Sequence, residues 1–308
     1  MTGTYRAVSF SEYGGPDVLQ LVELPIPLPG QGKVRIAVRA AGVNPIDWKI
    51  RSGAAKFISI EFPAVSGGDV AGVIDAVGPG VTEFAIGDEV LGSIGFGGYA
   101  ELALAPVEAL TTKPSSVPWE VAAALPIPAN TVYYAFDELG LQAGETFVID
   151  GAAGGVGTIA VQAAKSLGVD VIGTASQRNH DYLRSLGAMP VTYGEGLADR
   201  IRKVAPKGVD AALDASGRGS LPALVDVVGG SERVVTIADS SAADLGVRFI
   251  SAAPKGAASR IATAAALAAE NKLTVPIYQT YQLEKAADAQ RTSEQGHVRG
   301  KLIIVPGR

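Results

Sequence analysis

The stretch Asp150-Gly151-Ala152-Ala153-Gly154-Gly155-Val156-Gly157 is where residue type and spacing constrain chemistry most. It follows the apolar run Phe147-Val148-Ile149 and opens a segment of small residues, Thr158, Ile159, Ala160, Val161, Ala163 and Ala164. Glycines let backbone approach a pyrophosphate closely, and a helix N-terminus adds free N–H groups and a partial positive charge. Strand, glycine loop and helix in that order make Ala153, Gly154, Gly155 and Val156 the expected phosphate cradle of a dinucleotide site. Ala152 stands where the usual G-x-G-x-x-G pattern has its first glycine.

In such a unit the end of the second strand chooses the dinucleotide. A carboxylate there accepts from the ribose 2′-OH and repels a 2′-phosphate. Here the strand ends Gly173-Thr174-Ala175-Ser176-Gln177-Arg178-Asn179-His180, with no carboxylate. Thr174 and Ser176 bring hydroxyls, and Arg178 can give a phosphate a bidentate, charge-assisted contact. NADPH is the expected cofactor. His180 either assists or sits solvated in the loop, and the bland alternative for Arg178 is an exposed first-turn residue.

The chain that must position these residues has 308 of them, enough for two domains. Hydrophobic residues make up 47% and charged residues 19%, as in a globular enzyme with a substantial core. The net charge of −5 and the lack of a basic cluster argue against nucleic-acid or anionic-membrane partners. Cysteine is absent, which excludes disulfides, thiolate catalysis and cysteine–zinc sites. Met1-Thr2-Gly3-Thr4-Tyr5-Arg6 lacks the apolar core of a signal peptide, and glycine, proline or charge interrupts every apolar run. A cytoplasmic protein is expected.

The first third reads as short strands between Gly/Pro turns, at 34–40, 70–78, 88–92 and 99–104, and suggests a β-rich, barrel-like domain. From 119 to 276 strands alternate with helices. Strands are expected at 146–150, 170–173, 191–193, 209–214 and 233–238, with helices beginning near Gly155, Arg178, Gly196 and Ser220. Repeated βα units predict a doubly wound parallel sheet, a Rossmann domain, closed by an alanine-rich packing helix over 257–269. The tail carries a strand at 275–278, a helix at 284–291 and a strand at 301–305. The expected organisation is α/β, with residues 1–118 and 277–308 in the β-rich domain and 119–276 in the dinucleotide-binding domain.

Four segments resemble the zinc-independent, quinone oxidoreductase-like branch of the medium-chain dehydrogenase/reductase superfamily. They are Tyr13-Gly14-Gly15-Pro16-Asp17-Val18-Leu19, Ala41-Gly42-Val43-Asn44-Pro45-Ile46-Asp47 with Arg51-Ser52-Gly53, the loop Ala152 to Gly157, and Gly296-His297-Val298-Arg299-Gly300-Lys301. The resemblance covers nearly the whole length. It implies a GroES-like fold for the β-rich domain, a homodimer, and roles for further residues. Asn44 resembles the cleft asparagine near the nicotinamide, and Thr131 the threonine that faces it. Tyr193 resembles the tyrosine beside the 2′-phosphate, with core packing as its alternative, and Ser216 a cofactor contact, with turn formation as its alternative. Ile237, Ala238, Phe249 and Ile250 fall where backbone groups hold the carboxamide, and Lys301 ends the C-terminal cofactor-binding motif. Family members often carry a tyrosine after Arg-Ser-Gly, where this chain has Ala54-Ala55-Lys56-Phe57.

Zinc-dependent relatives need a cysteine near Asn44 and a Gly-His-Glu where this chain has Gly67-Gly68-Asp69. With His180 and His297 the only histidines, no metal site can be assembled in that way. Without a metal, the easiest hydride acceptor is one activated by conjugation, a quinone or an α,β-unsaturated carbonyl. The protein then aligns donor and acceptor and supplies hydrogen bonds to the developing oxyanion, with Asn44 and Thr131 as orienting groups. Proton delivery falls to solvent. Asp47 reads as a carboxylate capping local backbone or as a general acid. Rival functions are a pathway-specific enoyl or ketone reductase and a non-catalytic NADPH-binding sensor or scaffold.

Overall fold

Alternation of apolar and polar residues in the first third produces strands, as in β3, where Val34, Ile36 and Val38 are buried between more exposed neighbours. A computed structural model of the chain describes residues 3–250 and 256–307, so Met1 and Thr2 of the N-terminal segment lie outside it. The chain divides into two units, Met1–Ile127 with Gly256–Asn271 and Val275–Arg308, and Pro128–Lys255 with Lys272–Thr274.

The N-terminal part of the first unit contains β1 (Thr4–Phe10), β2 (Gln20–Pro25), β3 (Lys33–Val43), α1 (Pro45–Arg51), β4 (Ala64–Val65), β5 (Asp69–Val77), β6 (Glu89–Ser93), β7 (Leu102–Pro106), β8 (Leu110–Thr112) and α2 (Trp119–Ala124). Next come α3 (Pro126–Leu139), β9 (Thr146–Asp150), α4 (Gly155–Ser166), β10 (Asp170–Thr174), α5 (His180–Ser185), β11 (Met189–Val191), α6 (Leu197–Val204), β12 (Ala211–Asp214), α7 (Leu221–Val228), β13 (Val234–Thr236) and β14 (Arg248–Phe249). The chain closes with α8 (Ala257–Ala269), β15 (Ile277–Gln282), α9 (Ala286–Gln295) and β16 (Lys301–Val305).

In the first unit a sheet ordered β15-β16-β3-β5-β6-β8, with β7 also on β3, accompanies a small sheet β2-β1-β4. The last strand pairs antiparallel with β3, setting Leu302 against Val43. From Ala40 onward β3 is buried without alternation, because α2 packs on the face that would otherwise meet water. Gly42 is needed there, since a Cβ would lie 2.3 Å from the Ala123 carbonyl oxygen.

In the second unit β11-β10-β9-β12-β13-β14 form one all-parallel sheet, a doubly wound order in which β9 and β12 flank the switch point. Asp150, Thr174, Asp214 and Thr236 all stand at carboxyl ends of these strands and are buried.

Several elements differ from those expected from the sequence. Helix α8 forms over the expected residues but packs on β6 and β8 in the first unit rather than with the dinucleotide-binding domain. The first unit runs on through α2 to Ile127, past the expected boundary at 118. Strand β11 ends at Val191, so Thr192 and Tyr193 lie in the following loop.

Candidate functional site

Two polar assemblies stand out, one in each unit. In the first, Asn44 precedes α1, and its backbone N–H donates to Asp47 Oδ2 at 2.8 Å. Pro45 starts the helix at a position where a missing N–H costs nothing. The Asn44 side-chain amide is held from both ends. Its Nδ2 donates to Asp69 Oδ2 at 2.9 Å, and its Oδ1 accepts from Lys301 Nζ at 2.5 Å. Lys301 Nζ also donates to the Val43 carbonyl at 2.9 Å, and Asp69 accepts the Ile127 N–H at 3.1 Å. The Tyr99 hydroxyl donates to Asp47 Oδ2 at 2.7 Å. Asp47 thus follows the backbone-capping alternative and gains a tyrosine partner.

The cluster is buried, with Asn44 3% and Lys301 4% exposed. Two carboxyls and one ammonium share it, so the charges do not balance when all are ionised. Desolvation pushes Asp69 up to about 7 and Asp47 up to about 6, while the Lys301 ammonium pulls both back. Desolvation likewise lowers Lys301. The cluster therefore holds a proton near neutrality. Among the expected site residues, the structure brings Asn44 and Lys301 into direct contact, and Lys301 makes that contact as a support for Asn44.

The second assembly is the glycine loop. Gly154 caps α4 without a side-chain hydrogen bond, so the first-turn N–H groups of Gly155 and Val156 have no intrahelical acceptor. Gly157 has no room for a side chain, because a Cβ would lie 2.3 Å from the Gly151 carbonyl oxygen and 2.5 Å from Ala152 Cα. This tight turn leaves Gly154, Gly155 and Val156 partly exposed at the helix N-terminus, with Ala153 buried beside them, which fits a pyrophosphate. Behind it, the Asp150 carboxylate accepts from the hydroxyls of Thr174 and Ser216. Thr174 Oγ1 also accepts the Gly151 N–H at 3.1 Å. Desolvation raises Asp150, and its hydroxyl partners work against that shift. Thr174 and Ser216 thus brace the loop. Asp214 does the same one strand along, accepting the N–H groups of Ser216 and Gly217 at 2.9 Å and the Thr236 hydroxyl at 2.7 Å.

Beyond β10, Ser176 and the exposed Arg178 lie on the turn before α5. His180 Nε2 sits 3.3 Å from the Ala175 carbonyl and 3.5 Å from Thr192 Oγ1, joining that turn to the loop after β11. Tyr193 in that loop is 41% exposed, which removes core packing as its explanation. Ile237 N–H donates to the Asp214 carbonyl, Ala238 N–H to Thr236 Oγ1 and Ile250 N–H to the Thr236 carbonyl. These three N–H groups are committed, so a carboxamide held at Ile237, Ala238 or Ile250 would donate to their carbonyls. Phe249 is an exposed residue of β14. Thr131 is half-buried on α3, and beside it Asn130 Oδ1 and Tyr133 Oη are buried without hydrogen-bond partners among the described residues.

Asp69, Tyr99 and Asp214 were not among the site residues expected from the sequence. Asp69 was visible only as the absence of a zinc-ligand motif, and its hydrogen-bond partners lie 25 and 58 positions away, at Asn44 and Ile127. Asp214, like Asp150, ends an apolar run just before a glycine-containing turn, a signal that was present in the chain.

Residues 30–115 match the alcohol dehydrogenase GroES-like domain, and residues 186–304 match the zinc-binding dehydrogenase domain. Among the described residues, no group of three or more His, Cys, Asp or Glu side chains could hold a metal ion. A chloroplastic quinone oxidoreductase of Triphysaria versicolor is 31% identical, with 98% of each chain covered. A 2-methylene-furan-3-one reductase of Solanum lycopersicum is 30% identical, covering 98% of this chain and 79% of the relative. The crystal structure of Escherichia coli quinone oxidoreductase complexed with NADPH superposes with a TM-score of 0.88 at 26% identity, covering 98% of this chain and 100% of the other.

Proposed function

The chain belongs to the quinone oxidoreductase-like branch of the medium-chain dehydrogenases/reductases, and from that premise we propose that it is a zinc-independent, NADPH-dependent reductase of quinones or α,β-unsaturated carbonyl compounds. The observation that carries the cofactor half is the end of β10, where Ser176 and an exposed Arg178 stand in place of a carboxylate. A 2′-phosphate there meets a hydroxyl and a guanidinium instead of a repelling charge.

When bound, the dinucleotide supplies a hydride from nicotinamide C4. The N–H groups at the start of α4 hold the pyrophosphate, and Thr131 orients the nicotinamide. Asn44 carries a second Nδ2 hydrogen beyond the one donated to Asp69, and that hydrogen is suited to the acceptor's carbonyl oxygen. Because Lys301 and Asp69 clamp the amide from opposite ends, it cannot rotate to present its oxygen instead. Solvent supplies the proton that completes the reduction.

The relative named for 2-methylene-furan-3-one supports activated alkenes alongside quinones as acceptors. A pathway-specific enoyl or ketone reductase would use the same residues with a narrower acceptor range. On the same reading the protein is a cytoplasmic homodimer, and among the described residues no helix is long and apolar enough to cross a membrane. Steady-state NADPH oxidation against a panel of quinones, enones and simple ketones tests the proposal. Turnover with conjugated acceptors and none with unconjugated ketones is expected. Tight NADPH binding without turnover on any acceptor would instead mark a sensor or scaffold.

A further inference from the structure

Arg200 sits on α6, and its guanidinium turns back over the loop that joins β11 to that helix. Nε donates to the Thr192 carbonyl at 2.9 Å, Nη1 to the Glu195 carbonyl at 2.6 Å and Nη2 to the Gly194 carbonyl at 3.0 Å. One planar fork thus gathers three carbonyls from four consecutive residues, and the residue it straddles is Tyr193. The loop's own backbone adds a Leu197 N–H to Gly194 carbonyl bond at 3.1 Å. All three acceptors of Arg200 are carbonyl oxygens, which do not neutralise a formal charge, so the guanidinium brings its positive charge to the Tyr193 loop. His180 links that loop to the turn bearing Ser176 and Arg178 through its contacts to Thr192 Oγ1 and the Ala175 carbonyl.

We propose that Arg200 is a specificity-determining positioning residue for the adenosine 2′-phosphate. It fixes the backbone that presents Tyr193 and adds a second, immobilised cation to the one on Arg178. The inference rests on the reading of Ser176, Arg178 and Tyr193 as the 2′-phosphate subsite. Holding an exposed aromatic on a loop costs conformational entropy at each binding event unless something orders the loop beforehand, and the three-carbonyl clamp does so in the free protein. The fork is also specific to arginine. A lysine keeps the charge but lacks the planar array of donors that reaches three carbonyls at once.

The test measures dissociation constants for NADPH and NADH, and for the fragments adenosine 2′,5′-bisphosphate and 5′-AMP, in wild type, Arg200→Met and Arg200→Lys. Arg200→Met should weaken NADPH and the bisphosphate by about fivefold or more, the scale of one charge-assisted interaction partly open to solvent, while NADH and 5′-AMP change little. Arg200→Lys should recover part of the loss, because it restores charge without the clamp. Equal weakening of phosphorylated and unphosphorylated ligands in Arg200→Met, or an unchanged ratio between them, overturns the assignment. If wild type itself shows no preference for NADPH over NADH, the underlying 2′-phosphate reading fails, whatever the variants do. Because each ratio is taken within one folded protein, a general loss of stability does not mimic the expected result, and Arg200→Lys serves if Arg200→Met does not fold.

Discussion

Replacing Lys301 by Met removes the only ammonium from the Asn44 cluster while keeping an apolar stem of similar length. Two hydrogen bonds are lost, to Val43 O and Asn44 Oδ1, and two buried carboxyls lose their cation. The carboxyls set the pH dependence. Asp69 at about 7 and Asp47 at about 6 are raised above their unfolded values, so the native state binds protons more tightly than the unfolded chain. Their contribution to stability is therefore greatest at acid pH and declines as pH rises through about 6 to 7. Removing Lys301 raises both groups further. At pH 6 the variant's carboxyls are largely protonated, and the loss should be the two hydrogen bonds, about 1–3 kcal/mol. At pH 8 the variant must bury an unpaired carboxylate or take up a proton against the bulk pH, and the loss should grow to about 3–5 kcal/mol. Urea unfolding at the two pH values, followed by tryptophan fluorescence, measures the difference, since Trp48 and Trp119 both lie in the first unit. A loss that is the same at both pH values, or one that shrinks as pH rises, would refute the charge accounting.

Three further outcomes follow from the site. Arg178→Ala should weaken NADPH binding by about tenfold and leave NADH nearly unchanged, as isothermal titration with each cofactor would show. Gly157→Val should abolish binding of both dinucleotides, because even a Cβ would lie 2.3 Å from the Gly151 carbonyl oxygen, and should destabilise the second unit by about 1–3 kcal/mol. Chelator treatment should leave NADPH-dependent reduction unchanged, and elemental analysis should find only substoichiometric zinc; activity lost with a bound zinc and restored by adding it would contradict this.

Local signals carried most of the second unit. The strand over Phe147 to Ile149, the glycine loop and the small-residue helix are contiguous, and so this strand–loop–helix unit of the sheet could be read from spacing alone. The alanine-rich helix was equally visible over Ala257–Ala269, but which sheet it packs on depends on shape complementarity that spacing does not encode. The end of β11 was misplaced for a related reason. Thr192 and Tyr193 have strand propensity, yet Arg200 from the following helix takes the carbonyls on either side of Tyr193, at Thr192 and Gly194, an override of local preference. In the first unit the motif singles out Asn44 as a candidate. Its clamp leaves no local signal, because Asp69 and Lys301 arrive from β5 and β16 through antiparallel pairing on either side of β3. Lys301 was expected as a cofactor contact, and the structure shows its ammonium donating to Asn44 and Val43.

The central claim, an NADPH-dependent reductase of conjugated acceptors, is tested most directly by one steady-state comparison. Oxidation of NADPH and of NADH is followed with the same series of quinones and enones, with chelator present throughout. Turnover with conjugated acceptors, a higher kcat/KM with NADPH than with NADH, and no dependence on added metal are expected. Equal or better use of NADH, or turnover confined to unconjugated ketones in the presence of zinc, would contradict it.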